Sequence, residues 1–292
     1  MNKCTEKQPL MVSIRCLVYN HEPYLRQCLD GFVMQRTNFR FEAIVHDDAS
    51  TDNSAAIIRE YAEKYPDIIK PILETENQYS KHDGSLKKIM DSHTHGRYIA
   101  LCEGDDYWTD PHKLQKQVDY MEMHPMCSLC FHAHQELNKD SFILVRRYTQ
   151  LVEKCPMADI ILGDGGFMAT NSMVYRRDKI LKKEPEWAKN APIGDLPLML
   201  KMATQGTVAY IDDVMSVYRI NTPGSWTARS MTFRYKYNFI KRKNIMWKGY
   251  DEWTDYKYHK EVCKMRQDNW IDLFKFPFAY LKRKLYGLFN KG

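Results

Sequence analysis

From residue 11 to residue 123, short apolar runs alternate with amphipathic stretches, and few folds accommodate that alternation. Met11 to Val18 reads as a strand ended by Tyr19-Asn20-His21-Glu22-Pro23, and Pro23 opens a helix with Leu25, Leu29, Phe32 and Val33 on one stripe. Phe41 to Val45 is a second strand, closing on His46-Asp47-Asp48-Ala49-Ser50-Thr51-Asp52. A helix with Ile57, Ile58, Tyr61 and Tyr65 on its apolar side stops before Pro66. Ile68 to Leu73 is a third strand, Gly84 to Ser92 a helix, and Tyr98 to Cys102 a fourth strand. Parallel neighbours need a crossover helix, so the pattern predicts an α/β protein with a mainly parallel sheet wrapped by helices on both faces.

Such a sheet binds ligands beyond the carboxyl ends of its strands. Three polar turns fall there: Tyr19-Asn20, Asp47-Asp48 and Glu103-Gly104-Asp105-Asp106. A helix N-cap explains any one of them but explains the convergence of all three less well. The third is the most costly, because three acids within four positions repel one another unless a cation or a set of donors is present. Hard oxygen ligands suit magnesium or manganese, typically held by one or two carboxylates with substrate phosphates completing the shell. Gly104 is expected to supply backbone freedom for this turn, and Tyr107 and Trp108 to wall a site beside it. A helix opens at Pro111 and covers Lys113 to Met123.

Further on, Met126 to Gln135 alternates as a strand does. Cys127, Cys130, His132 and His134 are four potential zinc ligands, but Cys127 and Cys130 point to opposite faces of a strand, so buried thiols and partly satisfied imidazoles are the default. Phe142 to Thr149 suggests a strand, Met157 to Leu162 a short helix and Thr170 to Tyr175 another strand. Gly163-Asp164-Gly165-Gly166 lacks the lysine and helix that follow a phosphate-binding loop. Pro192-Ile193-Gly194-Asp195 introduces a helix with Leu198, Met199, Leu200 and Met202, where Asp195 is either the N-cap or a positioned acid. Gly206 to Ile220 holds two strand-like pieces around Asp212-Asp213, ending in Val217-Tyr218-Arg219, and Asn221 to Trp226 is a loop able to fold over a ligand.

From Ala228 the composition turns to polar-aromatic helices, which divides the chain into residues 1–227 and a helical extension, 228–292. Its last stretch sets Phe278, Leu281, Leu285, Leu288 and Phe289 at helical spacing among Lys282, Arg283, Lys284 and Lys291. A basic amphipathic helix of this kind either lies on an anionic membrane surface or packs on its own domain or on a homodimer mate.

The 292 residues include 44% hydrophobic and 27% charged side chains, which excludes disorder as the theme. The net charge of +6 is diluted by 37 acids, and no basic recognition helix appears, so nucleic acid is not the expected partner. The polar first ten residues do not read as a signal peptide, no window reaches transmembrane length, and the eight cysteines are scattered, most of them in apolar runs. A reducing, cytoplasmic setting follows, with the inner face of the plasma membrane as the place the C-terminal helix would reach.

Taken together, Val12-Ser13-Ile14, Tyr19-Asn20, Tyr24-Leu25, Gln35, Asp47 to Asp52, Gly96-Arg97-Tyr98-Ile99 and Glu103-Gly104-Asp105-Asp106 resemble the family 2 glycosyltransferases of GT-A fold, over residues 11 to about 226. The resemblance implies an inverting, metal-dependent enzyme that moves one sugar from a nucleotide-sugar donor, a UDP-sugar by preference, to a glycan or lipid-linked acceptor in surface polysaccharide assembly. It implies that Tyr19 stacks near the base, with Asn20 and Glu22 beside it, and that Asp48 accepts from the base. Asp105 would meet the ribose and diphosphate, and Asp106 would hold Mn2+ or Mg2+. Arg219 and Trp226 would close on the donor, and Asp195 would be the catalytic base. Glu103 stands where the family commonly has Asp. The Gln-x-x-Arg-Trp motif of processive synthases is absent, which implies a single addition. Two other readings stay open: a sugar-1-phosphate nucleotidyltransferase, although no glycine-rich basic loop follows the first strand, and a non-catalytic nucleotide-sugar binding subunit.

Overall fold

The computed structural model describes residues 8–138, 141–148, 154–189, 191–222 and 232–289, with the backbone alone at 143 and 277–289. Trp226 and Lys291 lie outside the described residues, as do the side chains of the basic stretch from Phe278.

The first half alternates as its pattern requires: β1 (Leu10–Val18), α1 (Glu22–Val33), β2 (Arg40–Asp47), α2 (Ser54–Lys64), β3 (Ile69–Leu73), α3 (Ser85–His93) and β4 (Tyr98–Leu101). β1 pairs in parallel with both β2 and β4, and β2 with β3. Alternate residues Val12, Ile14, Cys16 and Val18 of β1 are at most 1% exposed, as are Leu25, Leu29 and Phe32 on the apolar stripe of α1. Each such large side chain contributes about 1.5–3 kcal/mol by leaving water, so this layer fixes the register of the first three crossovers.

After β4 the alternation breaks. β5 (Tyr107–Trp108), α4 (Lys113–Met123), β6 (Cys127–Asn138), β7 (Ser141–Arg146), α5 (Met157–Gly163), β8 (Val174–Arg176), α6 (Glu186–Lys189), α7 (Asp195–Gln205) and β9 (Thr207–Ile220) precede the long helices α8 (Phe233–Trp253) and α9 (His259–Phe289). The sheet order is β3-β2-β1-β4-β8-β6-β9-β5, with β7 beside β6. β8 is antiparallel to β4 and β6, β9 is parallel to β6, and β5 is antiparallel to β9.

Two expectations change here. The two pieces around Asp212-Asp213 are one strand, β9, whose pairing steps from Ile211 opposite His132 to Val214 opposite Ala133, so the two acids bulge out. There they meet Arg147 and Lys116, each at 2.6 Å. The strand expected from Thr170 begins only at Val174, because Thr170–Ser172 form a short 3-10 turn. Tyr107 and Trp108, expected beside the acids, form β5, 9% and 2% exposed. In β6, Cys127, Cys130, His132 and His134 are all buried, with His132 Nδ1 2.7 Å from the Ala133 carbonyl oxygen.

The chain packs as two compact units. The first, Met1–Cys155, Met168–Ile180 and Met202–Ala228, carries the whole sheet. The second gathers Pro156–Phe167, Leu181–Lys201 and Arg229–Gly292, so the composition shift at residue 228 marks only the last of its three segments. Trp187 packs edge-on against Tyr250 at 5.1 Å, and Trp247 and Tyr250 are fully buried. Gly249 makes room for this, since a side chain there would come within 2.7 Å of Trp187 Cβ. None of the described helices is long and apolar enough to cross a membrane.

Candidate active site

The carboxyl ends of β1, β2 and β4 meet in the first unit through side-chain to backbone ties. Asn20 adopts a left-handed backbone (φ +56°) that asparagine tolerates, and its Oδ1 accepts from Thr51 N–H at 2.8 Å. Glu22 takes the Asn53 backbone N–H at 3.0 Å and its Nδ2 at 2.7 Å, while Asp52 Oδ2 accepts from Glu22 N–H at 2.9 Å. Asn20 and Glu22, expected beside the donor, thus clamp the turn after β1 to the turn after β2. Tyr19, in the same turn, is 48% exposed. Its ring offers the flat apolar face that stacking on a base needs.

Asp48 is 5% exposed. Its two carboxylate oxygens accept from the backbone N–H groups of Gln78, at 2.6 Å, and Tyr79, at 3.0 Å. A carboxylate has about four lone-pair positions, so each oxygen keeps one to offer to a further donor. The loop after β3 is thereby pinned against the end of β2, a contact with no sequence signal beyond the acid itself.

The acidic turn between β4 and β5 is the most tightly specified part of the site. Gly104 has no left-handed φ, which corrects the expectation of backbone freedom; it is needed because space is short. A side chain there would come within 2.7 Å of His21 Nδ1 and 2.9 Å of Val18 Cγ2. Asp105 Oδ2 accepts from Thr222 Oγ1 at 2.9 Å. Asp106 turns inward: Oδ1 accepts from Arg219 N–H at 2.7 Å, and Oδ2 is buried with no partner. Burial, then the neighbouring Asp105, push the Asp106 carboxyl well above the usual carboxylate range, against the Arg219 N–H. His21, beside Gly104, is pushed below its ordinary value by burial, against the pull of Asp105, Asp52 and Asp47.

Arg219, expected to close on the donor, is 9% exposed and holds this turn in place. Its guanidinium donates to the Asp105 carbonyl oxygen at 2.5 Å and to Gln27 Oε1, between the rings of Tyr24 at 5.0 Å and Tyr107 at 4.6 Å. Gln27 and Thr222 are site residues that sequence reasoning missed, while Tyr24, on the first turn of α1, was named only among the residues that carry the resemblance.

Two adjacent carboxyls are a fitting donor set for a hard divalent cation. Among the described residues no group of three His, Cys, Asp or Glu is placed to hold an ion alone, so phosphate oxygens would have to complete the shell. Both acids are buried, Asp106 at 1% exposed and Asp105 at 7%.

Asp195 lies in the second unit, as the first residue of α7, with Oδ1 2.7 Å from the N–H of Leu196. A helix start stabilises a carboxylate, yet the outcome here is the reverse. Burial, with Asp164 as a like-charged neighbour, raises the Asp195 carboxyl above its ordinary value, while backbone N–H groups and Lys243 oppose the shift. That is the partly buried setting a carboxylate needs to keep useful basicity.

Comparison with known proteins follows the same lines. The model of the family described as "Glycosyl transferase family 2" matches residues 13–184. An uncharacterized protein of Mycobacterium tuberculosis is 41% identical over 219 residues, 74% of this chain and 60% of the relative, so the chain spans about 60% of that relative's length. The putative teichuronic acid biosynthesis glycosyltransferase TuaG of Bacillus subtilis is 26% identical over 90% of this chain and 99% of its own length. Among solved structures, S. aureus TarS in complex with UDP-GlcNAc aligns with a TM-score of 0.59 at 16% identity, over 82% of this chain and 66% of that one. The mannosyltransferase PcManGT of Pyrobaculum calidifontis, in complex with GDP-Man and Mn2+, aligns with 0.55 at 17% identity, over 81% and 62%.

Proposed function

The chain belongs to glycosyl transferase family 2, with the GT-A fold of its structural neighbours, and on that premise we propose that it moves a single sugar from a UDP-sugar to a hydroxyl of a glycan or lipid-linked acceptor, with inversion, in surface polysaccharide assembly. The observation that carries this reading is the acidic turn: two carboxyls set in a glycine-tight bend at the carboxyl end of β4 and strapped from behind by Arg219. An ordinary capping turn needs no such strap. TuaG, which this chain matches over nearly its whole length, is named for teichuronic acid biosynthesis, and the TarS and PcManGT structures hold a UDP-sugar and GDP-mannose.

In this reading Tyr19 stacks on the base, Asp48 accepts from it with its remaining lone pairs, and Asp105 meets the diphosphate side of the donor. A divalent cation at Asp105, Mn2+ or Mg2+, would supply charge neutralisation for the departing diphosphate, where stabilisation accelerates the reaction. Asp106 stays behind it and fixes the turn through Arg219. Asp195 accepts the proton as the acceptor O–H bond breaks and the new oxygen to anomeric-carbon bond forms; the bond to the diphosphate breaks with its electron pair leaving on the nucleotide. Such proton transfer is commonly worth a factor of about 10²–10⁴.

Asp195→Asn is therefore expected to lower transfer by at least about a hundredfold while UDP binding in the presence of manganese, followed by calorimetry, stays at the wild-type level. Comparable turnover in this variant would remove the base assignment.

A further inference from the structure

Beside Asp195 the second unit holds an arrangement that the reaction does not itself require. The turn after α5 places Asp164 at φ +56° and ψ −156°, a conformation open almost solely to glycine and costing other residues about 1–3 kcal/mol. Gly163, Gly165 and Gly166 surround it, so the one residue in the run with a side chain occupies a strained position. That carboxyl is engaged. Asp164 Oδ2 pairs with Lys243 Nζ of α8, and Oδ1 is buried without a partner. Lys243 is 6% exposed, an unfavourable place for an ammonium group that lacks a paired acid.

The same turn abuts Asp195. A side chain on Gly165 would come within 3.0 Å of Ile193 Cδ1 and 3.9 Å of Asp195 Oδ1, so the turn lies against the start of α7. The charged groups acting on Asp195 are Asp164, from the turn after α5, and Lys243, from α8. Arg242, next to Lys243, is directed elsewhere and donates to the Ala191 carbonyl oxygen at 3.1 Å. Two carboxyls and one ammonium thus share one corner. Lys243 pairs directly with Asp164.

We propose that Asp164 and Lys243 are a positioning pair for Asp195, their ion pair between the turn after α5 and α8 holding that turn, and its charges, against the start of α7. The assignment rests on Asp195 as the base, but its test does not need turnover. Asp164 opposes ionisation of Asp195 and Lys243 favours it. Removing either one should move Asp195 in opposite directions, which a simple staple between α5 and α8 would not do.

Carboxyl-13C aspartate labelling of the full chain, with the resonance missing in Asp195→Asn assigned to Asp195, reads its titration directly. Lys243→Met is expected to raise the Asp195 midpoint by about one pH unit, a tenfold change in proton affinity, and Asp164→Asn to lower it by a similar amount. The double variant should return close to the wild-type midpoint, and Lys243→Arg, which keeps the charge, should leave it nearly unmoved. Should Lys243→Met fail to fold, the downward shift in Asp164→Asn tests the sign on its own. Thermal midpoints that fall while the Asp195 titration stays within about 0.3 unit of wild type would reduce the pair to a structural staple. The two assignments fail separately. Opposite shifts with an active Asp195→Asn would remove the base and keep the pair; an inactive Asp195→Asn with no shifts would remove the pair and keep the base.

Discussion

Asp105 and Asp106 are neighbours in sequence, both buried, with different partners that come from residues far along the chain. Their being acids after a strand was legible, because hydrophobic periodicity ends abruptly at Cys102. Which partner each carboxyl takes was not, since that depends on Arg219 returning its backbone N–H to Asp106 and its guanidinium to the Asp105 carbonyl. The same holds for Gly104, whose need is the nearness of His21 and Val18 rather than any φ of its own. The geometry predicts unequal roles. Asp105→Asn should remove most of the manganese-dependent gain in UDP affinity, at least tenfold or about 1.4 kcal/mol, whereas Asp106→Asn, whose amide oxygen can still accept from Arg219 N–H, should keep most of it. Titration calorimetry with UDP, with and without Mn2+, compares them; the reverse order would return the metal to Asp106.

At the scale of elements, the first four strands were readable because local rules mark them: short apolar runs, a proline-led helix after β1, a breaker such as Pro66. β5 obeyed none. It is two residues long and becomes a strand only because Tyr107 and Trp108 pair with Val217 and Ser216 of β9. The pairing is fastened by Asn171, which donates to the Val217 carbonyl at 2.8 Å, accepts from Ser216 Oγ at 2.9 Å, and offers its own carbonyl to Trp108 Nε1 at 2.8 Å. That buried fastening also accounts for the 3-10 turn where a strand was expected. Asn171→Ala leaves Ser216 without its acceptor and Val217 with one donor fewer, which should cost about 2–4 kcal/mol in urea unfolding at an unchanged m-value. Because Arg219 lies two residues beyond Val217, UDP affinity should fall as well. A stability loss with donor binding intact would show that the acidic turn holds its shape without β9.

For the molecule as a whole, composition gives no sign of the interior segments, Pro156–Phe167 and Leu181–Lys201, that group with the C-terminal helices. α5 and the 181–201 stretch are recruited by burying Trp187 and by pairs such as Lys243 with Asp164, which no local periodicity announces. α9 is anchored in this unit by Val262, Met265 and Leu273, 0%, 6% and 4% exposed, while Ile271 and Phe274 are 46% and 74% exposed. The buried contacts of the described side chains thus extend to Leu273, so a test of the remaining helix must cut after Phe276 to spare them. Beyond that point the sequence sets Phe278, Leu281, Leu285, Leu288 and Phe289 at helical spacing among Lys282, Arg283, Lys284 and Lys291. Basic residues near an anionic surface contribute about 1 kcal/mol each, so losing these four should weaken binding to phosphatidylglycerol vesicles by on the order of a hundredfold or more. The chain ending at Phe276 is expected to unfold at the wild-type temperature, bind UDP as before and stay in the supernatant when such vesicles are sedimented, whereas the full chain pellets and is released by high salt. Equal sedimentation of both chains would instead assign the last helix to packing within the protein or between two copies, since loss of an electrostatic anchor cannot leave vesicle partition unchanged.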